Sequence, residues 1–151
     1  METAVTALID RVFGPGRFAK VSERLRESNR LLADCSFVAM RGGRPVGCVR
    51  LWPVTIGGAP VAFLGPLAVD PDERSAGLGQ TLVEAACQAA RAAGWKAVLL
   101  VGDAPYFTRA GFSADHTRGV AMPGPVDQRR VLLKGLVEGG EKGLSGLVAI
   151  A

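Results

Sequence analysis

The segment that most constrains the fold is Val61 to Gly94, where a strand, a turn and a helix follow one another. The apolar run VAFLGPLAVDP predicts the strand, and an alanine-rich helix ended by Gly94 follows the turn. Proline has no backbone N–H, so Gly65-Pro66 predicts that the strand is either an edge strand there or bulged and splayed. A local kink is the alternative. In the bulged interpretation the bulge frees a backbone N–H to face a ligand, and we assign that N–H to Leu67.

The turn between this strand and this helix predicts a phosphate site. Its sequence is Arg74-Ser75-Ala76-Gly77-Leu78-Gly79. The two glycines let the backbone approach a ligand closely, and the amides of 75–79 gather at the positive end of the helix dipole. Arg74 can pair with a phosphate oxygen, although a flexible loop with a surface arginine is the alternative.

Two other nucleotide-binding loops do not match. A dinucleotide-binding turn of the Rossmann type needs a small residue where this chain has Leu82. A Walker loop needs Lys-Ser/Thr after its last glycine, and here Gln80-Thr81 follows. The sequence therefore predicts a phosphorylated cofactor held by a loop of another kind.

Composition predicts a single globular domain over residues 1–151, because 48% of the residues are hydrophobic and 21% are charged. The net charge of +4 is spread along the chain and aromatic residues make up only 6%, which argues against nucleic-acid binding. No apolar run approaches the roughly 20 residues that span a bilayer, and the N-terminus lacks a signal pattern. The three cysteines are scattered and His116 is the only histidine, so we expect buried thiols, no metal site and a cytoplasmic location.

Hydrophobic periodicity and turn residues predict a mixed α/β sheet. The helix at 77–93 places Leu78, Leu82, Ala85, Ala86, Ala89 and Ala93 on its inward face. The tail after 137 is rich in glycine and remains unassigned. The predicted elements are helices at 3–13, 17–33, 77–93 and 104–110, strands at 36–40, 46–54, 61–69, 96–101 and 130–137, a strand beginning at Phe112, and a loop at 117–128.

With these motifs in place, the chain resembles the GNAT superfamily of acetyl-CoA-dependent N-acetyltransferases. Arg74 to Gly79 matches that family's Arg/Gln-x-x-Gly-x-Gly/Ala pyrophosphate loop, and Tyr106 to Phe112 resembles its aromatic-x-x-x-Gly-Phe helix. The similarity covers 1–135. The phrases FGPGRFAK and VGDAPYF resemble a bacterial subgroup of predicted acetyltransferases whose substrates are mostly undefined.

The resemblance implies a mixed, mostly antiparallel sheet that is splayed between strands 61–69 and 96–102 and flanked by helices. The pantetheine arm of acetyl-CoA, the co-substrate, would lie in that V, with its pyrophosphate on the amides of 74–79. The Leu67 N–H would polarise the thioester carbonyl, and an amine would attack it directly in a ternary complex, without a covalent enzyme intermediate. The implied cofactor-binding residues are Leu67, Ala68, Val69, Arg74, Ser75, Ala76, Gly77, Leu78, Gly79, Gln80, Tyr106, Phe107 and Arg109.

The chain departs from the family pattern at two catalytic positions. Phe63 stands where the family often has a glutamate as general base, and Phe107 stands where it often has a tyrosine that protonates the thiolate. Tyr106, the only tyrosine, is the neighbouring candidate, with a packing role at the sheet edge as its alternative. Asp103 is a candidate for amine contact or a water-relayed base, or else it caps the following helix.

Two functions of different classes therefore stay open. The first is an acetyltransferase acting on a small-molecule or protein amine, and the second is a GNAT-fold module that binds acyl-CoA as a sensor without catalysis. A larger acyl donor is a third possibility. We expect residues 14–30 and 113–128 to form the acceptor pocket, and Leu147 to Ala151 to form a strand that pairs with another subunit as a homodimer.

Overall fold

The computed structural model describes residues 2–13 and 24–151, and for Arg74 and Ser75 only the backbone. Three short 3₁₀ turns, at Ala33–Cys35, Pro71–Ala76 and Gln128–Arg130, lie between the longer elements. The described helices are α1 (Glu2–Phe13), α2 (Leu78–Ala92) and α3 (Ala104–Thr108), and the strands are β1 (Phe37–Arg41), β2 (Arg44–Ile56), β3 (Ala59–Val69), β4 (Ala97–Val101), β5 (Val120–Ala121), β6 (Val131–Gly135) and β7 (Gly146–Ile150).

The strands form one mixed sheet in the order β5-β7-β2-β3-β4-β6, and β1 also pairs with β2. The β3–β4 and β5–β7 pairs are parallel, whereas the β1–β2, β2–β3, β2–β7 and β4–β6 pairs are antiparallel. Gly42-Gly43 and Gly57-Gly58 turn the two hairpins with positive φ angles, as glycine pairs in such turns do. The mixed, mostly antiparallel sheet predicted from the sequence is confirmed.

The sheet opens between β3 and β4. These strands pair only at Ala62–Val98 and Phe63–Leu99, although β3 continues for six more residues to Val69. The β2–β3 register shifts between Val49 and Leu51, which places two residues of β3 opposite one of β2. The register shift confirms the bulge, one of the interpretations of the Gly-Pro break, and the opening agrees with the splayed sheet that the family resemblance implied.

Helices and loops cover both faces of the sheet. Helix α2 packs on a cluster of buried residues that includes Leu51, Leu64 and Leu100. A Cβ on Gly47 would lie 2.9 Å from a Leu82 methyl, so α2 lies close against β2. On the opposite face, α1 covers Cys48 and Ala68, while Leu25, β5 and Leu144 cover a separate cluster around Phe63.

The inward face of α2 differs from the predicted one. The buried residues are Gly79, Leu82, Val83, Ala86, Cys87 and Ala90, whereas Ala85 and Ala89 are half-buried and Ala93 is exposed. The helix is therefore rotated by about one residue, because the valine and the cysteine bury more apolar surface than the alanines. Composition alone did not distinguish the two stripes.

The predicted helix at 17–33 is wrong at its C-terminal end, and residues 14–23 lie outside the described part. Arg24 is helical and 25–28 form a turn in which Ser28 has φ of 59°. The Asn29 side-chain amide donates to the carbonyls of Leu25 and Pro53, both at 2.9 Å. This local side-chain bond competes with the next helical turn and ties the chain to β2.

Two predictions for the C-terminal third also need correction, and the unassigned tail contains a strand. Instead of a strand at Phe112, the structure has one isolated bridge between Ser113 and Leu133. The predicted loop at 117–128 contains the short strand β5, and the unassigned tail contains β7. Strand β7 pairs with β2 on one edge and with β5 on the other, so it extends the sheet of its own chain. No helix within residues 2–13 and 24–151 is long and apolar enough to cross a membrane.

Candidate active site

The bulge decides which backbone amide faces the open V. Asp70 N–H donates to Val46 O at 2.8 Å. From this pair, hydrogen-bonded and non-hydrogen-bonded pairs alternate along β2 and β3. In this register the peptide groups of Ala68 face Cys48, and those of Leu67 turn away from β2, toward the side where β4 diverges. Without the extra residue, the alternation of peptide directions that starts at Ala62 would turn the Pro66 peptide toward that side. Proline has no N–H to present there. The bulge therefore supplies a donor where the plain strand would supply none.

The predicted phosphate loop leads into the first turn of α2. Gly77 has φ of 74° and a Cβ there would meet nothing within 4 Å, so its surface is open. The first four N–H groups of a helix lack intrahelical partners, and α2 is long enough, at 15 residues, to have a substantial dipole. The start of this helix can therefore bind an anion.

Asp70 anchors the beginning of the loop. Its side chain is 8% exposed and accepts from the Asp72 amide at 3.1 Å and from Arg11 of α1, also at 3.1 Å. The hydrogen bond from the Asp72 amide, and then the hydrogen bond from Arg11, lower the pKa of this carboxyl below its usual 3.8. The ionised Asp70 thus connects the end of β3, the loop and α1.

Helix α3 places Tyr106 beside this loop. A Cβ on Gly79 would overlap the Tyr106 hydroxyl and would lie 3.6 Å from a Val69 methyl. Gln80 Nε2 donates to the Tyr106 carbonyl at 3.0 Å. The phenol is half-buried, and burial raises its pKa, so it is protonated at neutral pH. Its hydroxyl therefore lies between the end of β3 and the first turn of α2.

Two residues near Tyr106 in the motif, Phe107 and Asp103, have structural contacts. The Phe107 ring turns away into the core, 4.9 Å from the Tyr106 ring and 5.9 Å from the Phe112 ring, with both pairs edge to face. It also covers Gly102, where a Cβ would collide with it. The Asp103 carboxylate accepts from the Tyr106 amide at 3.3 Å and caps α3. This cap was one of the two interpretations of Asp103.

The structure brings some of the predicted cofactor residues together and separates others. The side chain of Ala68 packs under α1 and its peptide groups face β2, so it does not line the V. Leu78 is half-buried against the core beneath α2, whereas Ala76 and Arg109 are exposed. The side chains of Arg74 and Ser75 lie outside the described part. The ends of β3 and α3 and the start of α2 thus form the site.

A groove of about 600 Å³ continues from this site, and sequence analysis missed most of it. It runs along α2 to the end of α3 and to β6. The lining positions of α2 recur at helical spacing, so a search for a second, polar stripe beside the core face would have found them. The groove is lined by Gln80, Glu84, Cys87, Gln88, Arg91, Arg109, Ala110, Lys134, Gly135 and Leu136.

On the face opposite α2, the bulge has two side-chain neighbours that sequence analysis also missed. The Trp52 indole N–H donates to the Gly65 carbonyl at 2.6 Å. An Arg26 guanidinium nitrogen lies 2.8 Å from where a Cβ on Gly65 would stand. The predicted acceptor pocket lies partly outside the described residues, but Arg24 donates to the Pro123 carbonyl at 2.7 Å and joins its two predicted segments.

The remaining candidates for chemistry contribute little here. Phe63 has no exposed surface, and His116 is exposed in a loop. All three cysteines are buried without disulfides, and burial raises the pKa of each thiol. Within the two described ranges, no three His, Cys, Asp or Glu residues are grouped so that they can hold a metal ion.

Comparisons with known proteins point to one family. The model of the acetyltransferase (GNAT) family matches residues 3–112. The Escherichia coli K12 protein YhbS, an uncharacterized N-acetyltransferase, is 32% identical over 149 residues, covering 95% of this chain and 87% of the relative.

Solved structures show the same fold. The crystal structure of YhbS from Escherichia coli in complex with CoA has a TM-score of 0.82 at 27% identity, covering 99% of this chain and 83% of that one. A GNAT family acetyltransferase from Brucella melitensis in complex with acetyl-CoA has a TM-score of 0.56 at 27% identity, with 85% and 83% covered. With a family match over most of its length and a relative above 30% identity, this chain belongs to the acetyltransferase (GNAT) family.

Proposed function

We propose that this chain transfers an acetyl group from acetyl-CoA to an amine by direct attack in a ternary complex. The observation that carries the proposal is the open V between β3 and β4, with the Leu67 peptide turned toward it and the start of α2 beside it. Family membership and relatives that bind CoA or acetyl-CoA support it. Residues 1–151 act as one acyl-CoA-binding domain in this proposal.

The loop before α2 fits a diphosphate. Gly77 leaves its surface open, and the amides from Ser75 to Gly79 supply donors at the positive end of the helix. Arg74 adds a positive charge to the loop. Bound acetyl-CoA supplies the activated acyl group as a thioester, and these residues hold its pyrophosphate.

The Leu67 N–H acts on the acyl end. A backbone donor needs no reorganisation during the reaction, so it stabilises the negative charge that develops on the thioester oxygen. The main chain of Val69, which faces the same side, binds the pantetheine amides. Acceleration comes from this donor and from holding the amine near the thioester.

Tyr106 donates the proton to the departing thiolate, and the proton that the attacking amine loses passes through water and restores the phenol. Its raised pKa keeps the phenol protonated at neutral pH, and its hydroxyl lies beside Gly79 and Val69, which border the V. Asp103 caps α3 and so orients Tyr106. It also remains a candidate for contact with the amine through water.

The groove between α2 and β6 receives the nucleotide end of the cofactor. It begins at Gln80, in the first turn of α2, and it is also lined by Arg109 and Lys134. Two cations beside a phosphorylated ligand favour its binding. Phe107 contributes by packing rather than by direct contact.

A catalytically inactive acyl-CoA sensor is the second candidate. The observation that favours it is Phe63, which replaces the family's frequent glutamate and is completely buried. A larger acyl donor is compatible with the same V. The acceptor is a small-molecule or protein amine, and buried unpaired thiols favour a cytoplasmic setting. A homodimer remains a proposal, although β7 already pairs with β2 and β5 of its own chain.

Calorimetric titration of acetyl-CoA tests the proposal, with Gly77→Glu as the probe of the phosphate loop. Gly143→Glu is the matched control, because Gly77 and Gly143 share a φ of 74° and open surroundings. We expect binding by the parent and the control, and loss of binding by Gly77→Glu. Thiol release in the presence of an amine panel then separates enzyme from sensor. Absence of parental binding at millimolar acetyl-CoA contradicts both candidate functions.

A further inference from the structure

The bulge in β3 is held by a side chain from the neighbouring strand. Gly65 and Pro66 together stand opposite Arg50 alone, so the regular ladder is interrupted here. The Gly65 carbonyl nevertheless has a partner, because the Trp52 indole N–H donates to it at 2.6 Å. A backbone carbonyl displaced by the bulge is thus satisfied by an indole.

Trp52 is itself held in place. It pairs with Phe63 across the two strands and packs, half-buried, against the cluster that contains Phe63. A tryptophan ring has only two side-chain torsions, so packing leaves its N–H with a defined direction. Arg26 approaches Gly65 from the same region, so the bulge has a neighbour at its Cα as well as at its carbonyl.

Resting on the proposed function, we propose that Trp52 is a positioning residue for acyl transfer. By holding the Gly65 carbonyl it keeps the extra residue at this point of β3, and the extra residue directs the Leu67 N–H into the V. Loss of the indole bond leaves the phosphate loop intact and lets the Leu67 donor move. Trp52 therefore affects the reactivity of the bound thioester more than the affinity for acetyl-CoA.

The test compares Trp52→Phe, which keeps a ring but removes the donor, with Trp95→Phe. Trp95, the other tryptophan, packs against the α2-side cluster, so its loss controls for removing an indole. Infrared difference spectra of carbonyl-labelled acetyl-CoA report how strongly the bound thioester carbonyl is polarised. We expect a lowered carbonyl frequency in the parent and in Trp95→Phe, and loss of most of that shift in Trp52→Phe.

Affinity and rate complete the test. We expect the calorimetric Kd of Trp52→Phe for acetyl-CoA to stay within about twofold of the parent, and thiol release to fall by up to about a hundredfold. If the thioester carbonyl frequency is the same in acetyl-CoA bound to Trp52→Phe as in acetyl-CoA bound to the parent, only the proposed role of Trp52 is overturned. A parent that binds acetyl-CoA without any carbonyl shift contradicts the proposed role of Leu67, and a parent that does not bind contradicts the proposed function as a whole.

A measurement on the unmutated protein guards against a variant that fails to fold. The two indole N–H signals of the ¹⁵N-labelled protein are assigned with Trp95→Phe, and their hydrogen exchange is followed. The Trp52 indole is expected to exchange at least about tenfold more slowly than an unfolded reference. Exchange at the reference rate shows that the Gly65 carbonyl does not hold it, and overturns the proposal.

Discussion

Replacing Gly79 with alanine tests the contact between the phosphate loop and Tyr106. The new Cβ would overlap the Tyr106 hydroxyl, so Tyr106 or the helix start must move. The family motif accepts alanine at this position, whereas this chain has a tyrosine hydroxyl in the same place. The conflict therefore comes from Tyr106 and not from the helix.

Two opposing terms set the magnitude. Alanine favours the helix over glycine by up to about 1 kcal/mol, while overpacking a filled site costs about 1–3 kcal/mol. In the Tyr106→Phe background the overlapping oxygen is gone, and the nearest ring atom is 3.3 Å from the Cβ position. In that background we expect Gly79→Ala to be neutral or stabilising. We expect a coupling energy of about 1–2 kcal/mol between Gly79→Ala and Tyr106→Phe.

Urea unfolding of the parent, the two single variants and the double variant gives the coupling, and each kcal/mol corresponds to about 2–4 °C in Tm at this chain length. Gly77→Ala is the control, because its Cβ meets nothing within 4 Å and its cost comes from a φ of 74°. Its coupling to Tyr106→Phe should be near zero. A coupling below about 0.5 kcal/mol for Gly79→Ala would refute the contact.

Three further outcomes are expected. The pKa of Asp70 is lowered from 3.8 in the folded state. Its contribution to the free energy of unfolding is therefore complete above pH 3.8 and is lost as the pH falls through the lower, folded-state pKa. Unfolding curves of the parent and of Asp70→Asn should differ at neutral pH and converge in acid. Phe63→Glu restores the family's frequent glutamate and should destabilise the protein by at least about 3 kcal/mol, because the site is completely buried. The control Phe63→Leu should cost about 1–1.5 kcal/mol. A Phe63→Glu variant that is stable in thermal melts and faster in thiol-release assays contradicts this. Arg109→Gln should raise the Kd for acetyl-CoA by about two- to fivefold, because an exposed charge contact is weak. Equal calorimetric affinities would contradict a contact between Arg109 and the nucleotide.

Sequence reasoning predicted the break in β3 because its cause is local. Proline cannot donate to a ladder wherever it stands, and the Gly65-Pro66 break lies within one continuous apolar run. The start of α2 was equally local, since Gly77 ends one segment and an alanine-rich helix begins directly after it. These features need no knowledge of distant residues.

Most of the failures involve residues far apart in sequence, although the inward face of α2 was misassigned within a single helix. Strand β7 forms because β2 and β5 accept it, and Asn29 ends a helical turn partly because Pro53 accepts its amide. Glycine-rich tails and polar helix ends show little periodicity of their own. Long-range pairing overrides such weak local preferences.

The sequence by itself determined that an apolar strand with a Gly-Pro break, a glycine turn and a helix follow one another, and from this it predicted an anion-binding loop at the start of the helix. Only the tertiary structure decided the details of the gap in the sheet. It showed which peptide faces the V, that Tyr106 rather than Phe107 turns toward Gly79, and that Trp52 holds the Gly65 carbonyl. The physical reason is that backbone propensities act over a few residues, whereas the direction of a donor depends on register and packing between separate strands and helices.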